Sequence, residues 1–554
     1  MGAGFRGSRR SGRRGGQEVL PAARSCPGPA YLTLVCGILA LASSREPLCP
    51  NRLGPALASL RHRGPDATGT WIAPDRRVGL GHTRLAIVDL ETGDQPIASE
   101  DGRMVAVVNG EFYGWERMRR DLEQRGHRFR TRSDSELLVH LYEEYGTGCL
   151  SYLRGEFAFA LWDAAAGRLF AARDRWGIKP LCYAEWNGAF ALASEAKALF
   201  ALGAPAAWDP QAFLQAVQVQ YTPPDRTLFA GIRQLPPGHF LTRERGELRT
   251  AVYWDLNYPL AEPPAPLSER RRLDAIQELR ERLNEAVCLR LRADVPVACH
   301  VSGGLDSSVI LGLAARHSAR PVDCFTVRFD AAPYDEWEVA AETARAAGAV
   351  LHGVRATPEA LVHCLPDAVY AAEGLAINGH LPAKFLLSRA IRDAGYKVVL
   401  TGEGSDEVLA GYAHLRRDLL ETGGGGAAAG GEETSLAERN RISAGIMLPE
   451  GEGLSLAGVR RRLGWAPTFL QAKATLGRRL RDVLAEPFLQ EWGGVDSLEL
   501  FVSAITPPGS LSGRGPVDQA LYLWNKSALA NYILRTLGDG TEMAHSVEGR
   551  LPFL

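Results

Sequence analysis

Two hydrophobic patterns divide the chain. From residue 36 to about residue 200, short apolar and aromatic runs recur with turn residues between them. These runs lie at 84–90, 103–108, 157–162, 169–172 and 190–193. Asn187-Gly188 lies between two such runs and is the strongest local hairpin signal. The pattern predicts antiparallel sheet in this half of the chain.

One amphipathic helix is predicted within that region. Ser133 and Glu136 have the spacing of a capping box, and Leu137, Leu141 and Tyr145 follow at helical period. The helix should therefore begin near residue 133.

The second half has a different pattern. After a proline-rich stretch at 257–267, helical segments alternate with apolar runs at 295–301, 322–329, 349–354 and 397–401. This alternation is typical of a parallel α/β sheet. We therefore expect an α+β domain of antiparallel sheets with helices, followed by an α/β parallel-sheet domain. The expected boundaries are a basic extension at 1–35, a first domain at 36–225, a linker at 226–265 and a second domain at 266–554 with a flexible insert at 421–435.

Composition narrows the class of protein. The 554 residues are 46% hydrophobic and 23% charged, which is typical of a globular protein of two or three domains. The net charge of −1 gives no general attraction to nucleic acid or to an anionic membrane. The nine cysteines form no CxxC pair, and no apolar run reaches about 18 residues. We expect a cytoplasmic protein without nucleic-acid or membrane partners, and a homodimer stays open.

Residues 1–35 differ from the rest of the chain, because they contain six arginines and one glutamate. Val35 directly precedes Cys36, and GTG codons often start translation in GC-rich genes. We hypothesise that Val35, rather than Met1, is the initiator. Removal of the initiating residue would then leave Cys36 with a free α-amine.

Six motifs follow in order from that cysteine. They are Cys36-Gly37-Ile38, RHRGPD at 61–66, GHTRLAIVD at 81–89, NGEFY at 109–113, RSDSE at 132–136 and RDRWGIKPL at 173–181. Together they resemble the class II, N-terminal-nucleophile glutamine amidotransferase domain over residues 36–200. The resemblance implies that Cys36 attacks glutamine with its own α-amine as base, and that Asn109 and Gly110 bind the oxyanion. The glutamine-binding residues that it implies are Arg84, Asn109, Glu111 and Asp134.

Taken alone, these residues have plainer interpretations. Asn109-Gly110 is also typical of a type I′ hairpin turn, and Asp134 is also a favourable charge at a helix N-terminus. The ordered set of motifs favours the catalytic interpretation.

A second set of motifs points to nucleotide chemistry. The apolar run 295–301 leads directly into SGGLDSS at 302–308 and then a helical segment, so main-chain N–H groups are available to phosphate. There is no GK[ST] and no Rossmann glycine spacing. TGEGSDE at 401–407 follows another apolar run, so Asp306 and Asp406 should face one pocket and bind Mg²⁺.

SGGLDSS resembles the pyrophosphate loop of ATP pyrophosphatases. By this resemblance Val327 contacts adenine, and Glu403 positions the acceptor or assists amine transfer. The ATP-binding residues implied are Ser302, Gly303, Gly304, Asp306, Ser307, Val327, Gly402 and Ser405.

The order of both sets resembles glutamine-hydrolysing asparagine synthetases from Cys36 almost to the C-terminus. The implied reaction converts aspartate, glutamine and ATP to asparagine, glutamate, AMP and pyrophosphate through an acyl-adenylate. Members of that family continue beyond the PFL at 552–554, so we expect a fragment that hydrolyses glutamine better than it makes amide.

Two alternatives remain. Residues 371–386, where the acceptor pocket should begin, differ from the sequence that is usual in the family. The protein could therefore be an enzyme of secondary metabolism that amidates another carboxylate. A binding or regulatory protein with an inactive amidotransferase fold is the alternative from another class.

Overall fold

The computed structural model describes residues 36–261, 268–422, 456–507 and 509–554, together with the backbone of residues 18–19. The strands are β1 Glu18–Val19, β2 Gly37–Ser43, β3 Ala67–Ile72, β4 Val78–Arg84, β5 Ile97–Ala98, β6 Met104–Phe112, β7 Gly155–Asp163, β8 Arg168–Arg173, β9 Cys182–Trp186, β10 Ala189–Ala193, β11 Ile232–Gln234, β12 His239–Glu244, β13 Glu247–Val252, β14 Val297–His300, β15 Asp323–Phe329, β16 Val350–Ala356, β17 Val398–Leu400 and β18 Glu548–Arg550. The first helices are α1 Gly54–Ser59, α2 Trp115–Gln124, α3 Leu137–Tyr145, α4 Ala196–Ala201, α5 Pro210–Val219, α6 Glu269–Arg290, α7 Leu305–His317, α8 Trp337–Ala347, α9 Pro358–Ala372, α10 His380–Asp393, α11 Ser405–Leu409 and α12 Ala413–Glu421.

The later helices are Ala457–Leu463, Thr468–Arg481, Glu486–Trp492, Ser497–Ile505, Pro516–Trp524, a π-helix at Asn525–Asp539 and Gly540–Met543. Short 3₁₀ turns cover Asp134–Glu136, Gly146–Ser151 and Ala332–Tyr334. No helix among the described residues combines the length and the apolar character needed to cross a bilayer.

The N-terminal half is a sandwich of two antiparallel sheets, as predicted. The strand orders are β11-β9-β10-β2-β4-β3 and β13-β12-β8-β7-β6-β5. Alternate residues of the inner strands, such as Ile38, Leu80, Val107, Ala160 and Leu192, form one apolar cluster to which both sheets contribute. Helices α1 and α4 pack against the first sheet and α3 against the second. Because the inner strands are buried on both faces, their sequences are almost continuously apolar.

The C-terminal half contains a parallel sheet in the order β1-β16-β15-β14-β17-β18, again as predicted. The neighbouring strands β14 and β17 both lead into glycine-containing loops followed by α7 and α11. The carboxyl ends of parallel strands meet at one edge of a sheet, so the two loops lie side by side.

Two local predictions are wrong. The run 84–90 is not a strand: β4 ends at Arg84, and Leu85 and Ile87 pack instead against Val398 and Met543 of the other half. The predicted linker 226–265 is mostly structured, because β11, β12 and β13 complete the two antiparallel sheets. The predicted insert 421–435 lies outside the described residues from 423 onward.

Buried ion pairs join the two halves. Arg63 Nη1 lies 2.7 Å from Asp539 Oδ1, and Arg290 Nε lies 2.8 Å from Glu156 Oε1. All four side chains are at most 5% exposed. Desolvated charges require close partners, so these pairs fix the halves in one relative position.

Candidate active site

Cys36 precedes β2 at the point where the two halves meet. Its Sγ accepts a hydrogen bond from the Leu85 N–H at 3.3 Å, and Arg63 Nε donates to its carbonyl oxygen at 3.1 Å. Burial raises the pKa of the Cys36 thiol to about 12. A thiol in this environment needs an adjacent base to become a nucleophile, which is the role predicted for its own α-amine.

Asn109 and Gly110 lie inside β6 and not in a hairpin turn, so the turn interpretation is wrong. Asn109 is 1% exposed, and neither its side-chain oxygen nor its nitrogen has a hydrogen-bond partner among the described residues. Gly110 has φ +118°, and a Cβ there would lie 1.9 Å from the Glu156 carbonyl oxygen. Only glycine fits at this position, and the unpartnered Asn109 amide is available to a ligand.

Arg84 and Asp134, two of the predicted glutamine-binding residues, are held in place by hydrogen bonds of their side chains. Arg84 is almost buried, with Nη1 2.9 Å from Asp94 Oδ1 and Nη2 donating to the Asp89 carbonyl oxygen. Asp134 Oδ2 accepts from the Phe112 N–H at 2.6 Å. Burial raises the pKa of Asp134 to about 6, although that hydrogen bond opposes the shift.

Glu111 has a different environment from the other predicted residues. Its Oε1 lies 3.0 Å from Arg550 Nη2, and Arg550 belongs to β18 of the parallel sheet. The carboxylate of Glu111 is therefore engaged with the C-terminal half.

The two predicted nucleotide loops meet around a cavity of about 310 Å³. Ser405 Oγ donates to Asp306 Oδ1 at 2.7 Å, and the Ser302 N–H donates to Ser307 Oγ at 3.1 Å. A Cβ at Gly402 would lie 2.7 Å from the Ser307 nitrogen. The close approach of the loops therefore requires glycine.

Most of the predicted nucleotide residues line this cavity, whereas Gly303 and Ser405 lie beside it in the two loops. Gly303 has φ +84°, and a Cβ there would lie 2.9 Å from a side-chain carbon of α8. The predicted residues that line the cavity are Ser302, Gly304, Asp306, Ser307, Val327, Gly402, Glu403 and Asp406.

The acidic side chains of this cavity repel one another. Burial, together with the Asp306 and Glu403 carboxylates, raises the pKa of Asp406 to about 6. A divalent cation between Asp306 and Asp406 would relieve this repulsion, so these residues fit Mg²⁺.

Lys384 of α10 forms an ion pair on the cavity wall. Its Nζ lies 2.6 Å from Glu403 Oε1. Burial favours neutral forms of both groups, but their attraction prevails, raising the pKa of Lys384 and lowering that of Glu403. The pair therefore stays ionised beside the nucleotide loops.

Comparison with known proteins agrees with both halves of this site. Residues 35–254 match the model of a glutamine amidotransferase domain, and residues 278–554 match that of asparagine synthase. Amidase chry2 of Gibberella zeae is 34% identical over 556 residues, covering 94% of this chain and 81% of that protein. The chain belongs to the glutamine-hydrolysing asparagine synthetase family.

Other members of the family are similar over different lengths. Amidase chyE of Penicillium rubens is 35% identical over 89% of this chain and 75% of that protein. Asparagine synthetase [glutamine-hydrolyzing] 1 of Bacillus subtilis is also 35% identical, over 65% of this chain and 55% of that protein. The predicted membership and the predicted fold class are both confirmed.

The cavity of this asparagine synthetase family member also contains residues that were not predicted, among them Lys384, His380 and His300. Lys384 and His380 belong to the stretch 371–386, and the unusual sequence of this stretch was the only sign of their role in the cavity. His300 lies at the end of β14, and its Nε2 is buried without a partner among the described residues. Burial lowers the pKa of His300 to about 3, so its imidazole is neutral.

A small cavity of about 10 Å³ lies where the two halves meet. Its wall includes Lys179 of the amidotransferase half and Thr401, Glu403 and Glu542 of the synthetase half. Glu403 therefore borders both this cavity and the nucleotide cavity.

Proposed function

We propose that this protein joins glutamine-derived ammonia to a carboxylic acid that ATP has activated. The observation that carries the proposal is the cavity at which the SGGLDSS and TGEGSDE loops meet beside the Lys384–Glu403 pair. Phosphate-binding loops, paired carboxylates and an ammonium group at one place suit the cleavage of ATP beside a carboxylate substrate.

The amidotransferase half would release ammonia. With a free α-amine as base, the Cys36 thiolate attacks the side-chain carbonyl carbon of glutamine and expels ammonia. The Asn109 side chain and the Gly110 N–H stabilise the oxyanion, which explains a buried amide without a protein partner. Arg84 binds the α-carboxylate of glutamine and Asp134 its α-ammonium group, while Glu111 completes the pocket.

The synthetase half would form and consume the acyl-adenylate. Ser302, Gly303, Gly304, Ser307, Gly402 and Ser405 bind the phosphates, and Val327 contacts adenine. Mg²⁺ held by Asp306 and Asp406 would screen the phosphate charge. Glu403 lies where ammonia from the small cavity would enter, so its carboxylate is placed to take a proton from the attacking nitrogen.

Aspartate is the first acceptor to test, because the domain match is to asparagine synthase. A second candidate is a different carboxylic acid. It is favoured by the two relatives named amidases, which align over 89–94% of the chain, and by Lys384 and two histidines on the cavity wall.

The proposal is tested by pyrophosphate release with ATP, Mg²⁺, glutamine and a panel of carboxylic acids that includes aspartate. We expect acceptor-dependent pyrophosphate and an amide product identified by mass spectrometry. Cys36→Ala should lose synthesis from glutamine but retain it from ammonium. Failure of every acceptor, together with no γ-glutamyl thioester on Cys36, would favour the inactive regulatory protein.

A further inference from the structure

Four side chains of the N-terminal half lie close together and take no part in the proposed reaction. Glu100 lies between β5 and β6, His127 follows α2, and His140 and Glu143 belong to α3. One ligand atom from each lies within 4.8 Å of the others. His140 is 1% exposed, whereas Glu100 is at the surface. The cluster is therefore anchored in the core and open on one side.

The distances suit a tetrahedral ion. His140 Nδ1 lies 3.2 Å from His127 Nδ1 and 3.3 Å from Glu143 Oε2, and His127 Nδ1 also lies 3.3 Å from that oxygen. The carboxylate oxygens of Glu100 lie 3.6 Å from His140 Nδ1 and 4.0 Å from His127 Nδ1. Ligands at about 2.0–2.2 Å around a tetrahedral zinc ion are about 3.4 Å apart.

The opposite edge of each imidazole faces a carboxylate. His127 Nε2 lies 3.1 Å from Glu144 Oε1, and His140 Nε2 lies 3.6 Å from Glu136 Oε1. With protons on both Nε2 atoms, which face these carboxylates, the two Nδ1 lone pairs would be available to one cation. Carboxylate–histidine–metal arrangements of this kind hold zinc in many proteins.

We propose that Glu100, His127, His140 and Glu143 form a structural zinc site. Two carboxylates neutralise a divalent ion, and the absence of thiolate from this set fits zinc better than copper(I). The ion would join three elements to one another: helix α3, the β5–β6 turn, and the loop that follows α2. Because α3 begins directly after the turn that carries Asp134, the zinc would also fix the wall of the glutamine pocket.

The test uses the whole protein, stripped of metal with a chelator and titrated with zinc chloride. We expect about one equivalent of zinc per chain, with a zinc-edge X-ray absorption spectrum that shows nitrogen and oxygen ligands only. His127→Gln should abolish the binding, and Glu144→Gln should weaken it by about 10–100-fold. His317→Gln, at an exposed histidine that contacts Asn284, is the matched control and should bind as the unmodified protein does.

Zinc should also raise the midpoint of thermal unfolding of the unmodified protein but not of the His127→Gln variant. Three results would overturn the proposal. The first is no zinc uptake by the unmodified protein, which would indicate a metal-free hydrogen-bonded cluster. The second is sulfur in the absorption spectrum, which would indicate binding at cysteine. The third is equal zinc uptake by His127→Gln. None depends on glutamine or ATP turnover, so a failure here leaves the proposed function intact.

Discussion

Replacing Asn109 with leucine should separate stability from activity. Both polar atoms of this side chain are buried without a partner among the described residues. Each unsatisfied buried group costs about 1–3 kcal/mol, so an apolar side chain of similar volume should stabilise the N-terminal half by about that amount. The same change removes one oxyanion donor, which should lower glutaminase kcat by about 10²–10³.

Gln95, in the bend before β5, provides a matched control, because it is a buried amide that is hydrogen-bonded to β6. Its Oε1 accepts from the Val108 N–H at 2.6 Å, and its Nε2 donates to the Val108 carbonyl oxygen at 3.2 Å. Gln95→Met should therefore lower the free energy of unfolding by about 1–3 kcal/mol. Urea unfolding and glutamate release measure the two effects. If Asn109→Leu lowers stability and leaves glutaminase unchanged, Asn109 is a structural residue and the oxyanion assignment is wrong.

Three further predictions concern other parts of the site. Gly110→Ala should abolish glutaminase because its Cβ meets a main-chain carbonyl oxygen of β7 at 1.9 Å, whereas Gly102→Ala, with open space around it, should cost about 1 kcal/mol in thermal unfolding. The kcat/KM for glutamine should rise as pH increases through about 6, because Asp134 must lose its proton to bind the α-ammonium group. The Asp134→Asn variant should not show this rise. If its pH profile of kcat/KM is the same as that of the unmodified protein, the assignment is wrong. Lys384→Met should leave glutaminase activity intact, but it should raise the pKa of Glu403 and reduce acceptor-dependent pyrophosphate release. Normal pyrophosphate release with every acceptor would exclude a role for Lys384 in the reaction.

The sequence predicted those parts of the fold that rest on local periodicity. The antiparallel and parallel halves follow from apolar runs whose spacing differs, and all four predicted parallel strands are present as β14 to β17. It did not predict β12 and β13, because β13 is a largely exposed edge strand without a continuous apolar run. The turn at Arg245-Gly246, with positive φ at both residues, was the signal that could have identified this hairpin.

The site was predictable only where its residues are adjacent in sequence. Motifs such as SGGLDSS and NGEFY keep their functional groups within a few residues of one another. His300 and Lys384 meet in one cavity only because β14 and α10 belong to the same folded half. Periodicity gives no information on such distant pairs. Asn109-Gly110 shows the converse problem, because a local turn signal was overridden by pairing of β6 with β7.

The ion pairs of Arg63 with Asp539 and of Arg290 with Glu156 have a consequence for engineering. If the chain were cut near residue 262, each piece would expose charged side chains that had lost their ion-pair partners. Removing one partner of a buried ion pair lowers the free energy of unfolding by about 3–5 kcal/mol per pair. Neither piece should behave as a portable module. Transplanting the glutamine-hydrolysing part onto another ligase would require these matched charges to be moved with it.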